Sequence, residues 1–142
     1  MAHHTPPADH RPLGAALAIV GALAALHSLR ETLGHVRDDR YHRLDAGQGA
    51  GHVSYHLARE ACTTAGALAA STVGAVRLAS GRDAGWAPVA LATGGYLAGQ
   101  WTGRGTAGAF APSGRALAWH AVTTALLAAG TLAVRPRRTR EH

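Results

Sequence analysis

Four stretches of the chain run without charge, and polar or glycine-rich segments separate them. The first, Leu13 to Leu26 (LGAALAIVGALAAL), carries its apolar pattern on through His27, Ser28 and Leu29. The second, Ala61 to Val76, is the apolar part of a longer helical stretch that begins near His52 (HVSYHLAREACTTAGALAASTVGAVRL). The third is Ala84 to Trp101 (AGWAPVALATGGYLAGQW), and the fourth follows Arg115 as far as Val134 (RALAWHAVTTALLAAGTLAV). Eighteen helical residues rise about 27 Å, close to the roughly 30 Å of a bilayer's hydrocarbon. The pattern therefore predicts an all-α protein, an integral membrane bundle of four transmembrane helices with short loops. The expected spans are residues 12–30, 54–78, 84–101 and 115–134.

Proline and glycine punctuate this pattern. Residues 1–11 (MAHHTPPADHR) have no apolar period and read as a disordered tail, and Pro12 suits a first helical turn. The connection from Arg30 to Gly51 is dense in both charge signs and closes on Gly47, Gly49 and Gly51, a solvated turn. Ser80 to Gly85 is a short turn with glycine at both ends, and Thr102 to Gly114 is a glycine-rich loop with no phosphate-binding lysine. Gly66, Ala70 and Gly74 repeat at four-residue spacing, as do Gly95, Gly99 and Gly103; Gly21 lies beside Ala22 and Ala25. In water such glycines cost about 1 kcal/mol each against Ala, whereas in a bilayer they let helix backbones approach. Trp86 and Trp101 stand at opposite ends of the third run, where interfacial aromatics belong. One rival stands beside the first span: Ala22-Leu23-Ala24 resembles a signal-peptide cleavage site, although the apolar pattern continues past it.

Charge alters the picture less than the apolar blocks do. Charged residues are 15% of the chain, against about 25% in a soluble domain. Mean hydropathy is near zero despite the many His and Arg, so the apolar residues are segregated. All 14 basic residues other than histidine are arginine, which with the abundant Ala and Gly reflects GC-rich coding. No basic stripe with interleaved aromatics exists, so nucleic acid is not an expected partner. The expected partners are the lipid bilayer and either a second copy or a larger membrane complex. Cys62 alone builds no disulfide framework and reads as a small buried thiol. Residues 135–142 form a basic tail, and arginines divide seven against seven between the two faces of a four-span topology. The dense C-terminal cluster favours tails in the cytoplasm, with a prokaryotic plasma membrane as the location. A soluble Ala-rich helical bundle is the competing class.

Polar residues converge at one end of such a bundle. His27, Glu31 and His35 follow at i, i+4 and i+8 at the exit of the first helix, and His52, His56 and Glu60 do the same at the entry of the second. His120 enters from the same face on the fourth. Imidazoles and carboxylates at this spacing are the ligand set of a transition metal, and two facing histidines that of a b-type haem. The leading expectation is a membrane protein of non-enzymatic or accessory role with such a cluster. The alternatives are a redox enzyme acting on a lipid-soluble substrate such as a quinone, and a proton or ion pathway. Against all three stands a packing role. Arg30 with Glu60 and Arg59 with Glu31, on antiparallel neighbours, are candidate structural ion pairs.

Overall fold

The computed structural model describes residues 9–36, 38, 52–82, 85–102, 111 and 113–136, with the side chains of 52–55 left aside. The expected tail over residues 1–11, most of the charged first connection, the glycine-rich loop and the basic tail fall largely or wholly outside them. Among the described residues the protein is all-α, with four helices: α1 (Arg11–Val36), α2 (His52–Ala79), α3 (Trp86–Trp101) and α4 (Gly114–Ala133).

Local chemistry sets the ends of these helices. Asp9 Oδ1 accepts the Arg11 N–H at 3.1 Å ahead of Pro12. The Ser113 hydroxyl accepts the Ala116 N–H at 3.2 Å, a side-chain cap on the first turn of α4. At the end of α2 the Gly81 N–H reaches the Leu78 carbonyl and the Arg82 N–H reaches the Arg77 carbonyl at 2.9 Å. That paired closure requires a left-handed residue, supplied by Gly81 at φ 72°. At the same end of the bundle Trp86, the first residue of α3, reaches across to α4. Its indole N–H donates to the Thr131 carbonyl at 2.8 Å, one of the last α4 carbonyls with no helical partner of its own.

The helices form a ring in which α1 packs most extensively on α4 and on α2, α2 packs on α3, and α3 meets α4 more lightly. Glycine makes the α1–α4 seam close. A methyl carbon added at Gly130 would lie 2.6 Å from the Ala18 nitrogen, and one at Gly14 would lie 2.8 Å from the Ala133 side chain. Gly21 faces Leu127 in the same way, and Gly74 on α2 takes a Val89 methyl from α3. Within the chain the small-residue expectation is thus met at Gly21 and Gly74, and Gly103 lies outside the described residues. Gly66, Gly95 and Gly99 have nothing within 4 Å of where a side chain would begin. At the end of α3, Trp101 donates its indole N–H to Thr124 Oγ1 on α4 at 2.9 Å. Cys62, expected to be buried, is exposed.

Burial is the reverse of a soluble bundle's. The buried positions are chiefly Gly, Ala, Ser and Thr, with Leu68, Leu78, Val89, Leu127 and Val134. The outer face carries Leu13, Ile19, Val20, Leu23 and Leu26 on α1, Val73 and Val76 on α2, Leu91 on α3, and Val122 and Leu132 on α4. A hydroxyl chain crosses the interior: Thr131 Oγ1 donates to Thr93 Oγ1 at 3.1 Å, which donates to Ser71 Oγ at 3.0 Å. It joins α4, α3 and α2 with each member buried. Among the described residues two helices, α1 with 26 residues and α4 with 20, are long and apolar enough to cross a membrane. By that measure α2 does not qualify, and α3, with 16 residues, is too short.

Candidate functional site

The bundle is close-packed at the end where α1 begins and α4 ends, and open at the other. Where Gly95 and Gly99 leave α3 without close neighbours, the helices enclose a crevice of about 870 Å³. All four helices contribute to its walls: Thr32 from α1, His56 to Ala67 from α2, Leu91 to Gln100 from α3 and His120 from α4. Its size lies within the range of small-molecule sites, roughly 300–1,000 Å³.

The crevice grades from charged to apolar. His56, Arg59 and Glu60 are exposed residues at the start of α2, nearest the open end. The Thr63 hydroxyl donates to the Arg59 carbonyl at 2.9 Å and the Thr32 hydroxyl to the Ser28 carbonyl at 3.2 Å. Both hydroxyls thus spend their hydrogen on their own helices and keep oxygen lone pairs for a ligand. Ala67, Leu91 and Ala92 line the far end. Between them stand Tyr96 and Gln100, whose hydroxyl and Oε1 are buried with no hydrogen-bond partner. A buried polar atom left in that state costs about 1–3 kcal/mol, which a complementary ligand or water relieves.

Of the seven residues expected to form a metal or haem cluster, His56, Glu60 and His120 line this crevice. His120 meets the ring of Trp101 edge-on, with centroids 6.1 Å apart. His27 is packed on Trp119, with centroids 5.4 Å apart and planes inclined by 37°. Glu31 is exposed near the end of α1 and His35 is half-buried in its last turn, and neither belongs to the crevice walls. The His52 side chain lies outside the described residues. Among the described residues no group of three or more His, Cys, Asp or Glu stands close enough to hold a metal ion. The metal and haem readings therefore gain no support. Arg30, Glu31, Arg59 and Glu60, the candidate ion-pair residues, are all exposed. Arg11 forms an ion pair with Asp9 at 3.8 Å.

Tyr96 and Gln100 are the wall residues that sequence reasoning passed over. Their signal was present: they stand four apart, each one step beyond a glycine of the Gly95–Gly99 pair, inside an otherwise apolar run. The glycines attracted a helix-packing reading, and the polar pair beside them was left unread. Comparisons with protein-family models, with curated proteins and with solved structures return no match.

Proposed function

We propose that the protein is a multi-pass integral membrane protein with four spans that binds a lipid-soluble small molecule in its open-end crevice, in a binding or accessory role. The observation that carries this reading is Leu91, which lines the polar crevice and is also 75% exposed on the outer face of α3. The crevice therefore continues onto the apolar exterior, and a ligand dissolved in acyl chains enters it from the side. The inverted burial supports the membrane half, because an apolar surface of this extent on all four helices is foreign to a soluble monomer. At 16 residues α3 rises about 24 Å, shorter than typical hydrocarbon, a mismatch that local thinning absorbs. Arg59 and Glu60 on α2 face the crevice mouth, where water hydrates them and spares the helix an ion in lipid.

The ligand class supported best is a quinone-like molecule, with an apolar body and ring carbonyls. Its body suits Leu29, Ala67 and Ala92, and Gly95 and Gly99 offer a flat backbone face to a planar ring. A carbonyl accepts from the Tyr96 hydroxyl, and a quinol hydroxyl donates to Gln100 Oε1. The test is a titration of the detergent-solubilised protein with a short-chain quinone, read by tryptophan quenching. Saturable quenching that weakens at least tenfold in Gly99→Leu, with unchanged stability, is the expected result. Equal, unsaturable quenching in both proteins refutes ligand binding. The four-span topology has its own test: single cysteines in the first and third connections must label from the same side of the membrane.

A further inference from the structure

A second groove lies at the closed end of the bundle, on the seam between the start of α1 and the end of α4. Its walls are apolar: Leu17 and Ala129 with Leu13 and Leu132, the last two 58% and 62% exposed. Its outer end is cationic. Arg11 and Arg135 both line it, and Asp9, 3.8 Å from the Arg11 Nε, is the carboxylate that faces them. The Arg135 guanidinium is held over the end of the bundle, 5.0 Å from the centre of the Trp86 ring.

We infer that this groove binds one anionic glycerophospholipid, its phosphate between Arg11 and Arg135 and an acyl chain along Leu13, Leu17 and Leu132. The choice of occupant follows from charge and polarity together. Two guanidiniums against one carboxylate leave a net positive site, and the planar guanidinium fork matches phosphate oxygens. The leucines beneath demand a ligand whose other part is hydrocarbon. A second copy of this chain would bring arginine against arginine at the same rim. Trp86 restrains Arg135 before any ligand arrives, so less side-chain freedom is lost on binding. The inference rests on the membrane half of the proposed function and is independent of the crevice.

The experiment is native mass spectrometry of the full chain released from detergent, offered phosphatidylglycerol and phosphatidylcholine in equal amounts, with inorganic phosphate as a third arm. One phosphatidylglycerol should be retained preferentially. Each of Arg11→Gln and Arg135→Gln should lower that preference about fivefold, and the double variant about thirtyfold. Arg135→Lys, which keeps the charge, should retain most of it. Arg82→Gln, which removes an exposed arginine from the α2–α3 turn outside the groove, should change it less than twofold. Equal retention of the two lipids overturns the inference, as does an Arg82→Gln effect equal to that of Arg135→Gln. Displacement of the lipid by excess inorganic phosphate overturns it in favour of a free-anion site. A chain that stays in solution without detergent or lipid overturns the membrane reading, and this inference with it.

Discussion

The glycines of this bundle divide into two kinds that an alanine scan should separate by sign. Gly130 stands at the α1–α4 seam, where an added Cβ would meet the Ala18 nitrogen at 2.6 Å and the Gly14 oxygen at 2.8 Å. Both obstacles are backbone, so no side chain can rotate away. Restoring ordinary contact requires the two helices to part by about 0.8 Å, loosening Gly14, Ala18 and Gly21 along the same seam. Overpacking of this kind costs about 1–3 kcal/mol, and a rigid obstacle belongs near the upper end. Alanine's better helix propensity offsets about 1 kcal/mol of that. Gly130→Ala should therefore destabilise by about 1–2 kcal/mol. At Gly66 nothing lies within 4 Å, so Gly66→Ala keeps the propensity gain and should stabilise by about 0.5–1 kcal/mol. Reversible unfolding in mixed micelles, followed by tryptophan fluorescence, measures both against the parent protein. The reasoning is refuted if Gly130→Ala is as stable as the parent, or if Gly66→Ala loses as much as Gly130→Ala.

Two further outcomes concern buried and exposed polar residues. Thr93→Val removes the centre of the Ser71–Thr93–Thr131 hydroxyl chain at almost constant volume and should cost about 1–2 kcal/mol. A double-mutant cycle with Thr131→Val should give a coupling of about 0.6–1.7 kcal/mol, and zero coupling would remove the chain from the stabilising contacts. Glu60→Gln and Arg30→Gln, by contrast, should act additively in the same unfolding assay, because both side chains are exposed and an exposed pair is worth little. A coupling above about 0.5 kcal/mol would restore the ion-pair expectation.

Helix number, order and approximate ends were legible in the sequence because uncharged runs and glycine or proline punctuation are local signals. The run ending at Trp101 and the turn at Gly81 fall where the pattern predicted. Packing was less legible. Four-residue glycine spacing marks a helix face that can approach another, but not whether another helix is there. Gly74 and Gly99 carry the same local signal, yet one receives Val89 and the other borders a crevice. The i, i+4 stripes of His and Glu likewise fixed which residues share a helix face, not its rotation toward the neighbours. His56, Glu60 and His120 therefore reached one cavity while His27 turned onto Trp119. The hydroxyl chain is not legible locally because Ser71, Thr93 and Thr131 are small hydroxyl residues scattered through three apolar runs. Their meaning depends on three helices at once.

The most extensive packing among the described helices joins the first to the last, and that has a bearing on how the protein is made. While a ribosome delivers the chain, α1 waits with Gly14 and Gly21 lacking their α4 partners until Leu127, Ala133 and Val134 have been synthesised more than a hundred residues later. Over that interval α1 has only α2 and α3 as company, and α2 is its one extensive contact. A nascent chain halted after α3 thus presents the small residues of α1 without their α4 partners. The ring closes only once α4 arrives, which makes the last helix the step that commits the protein to its folded form.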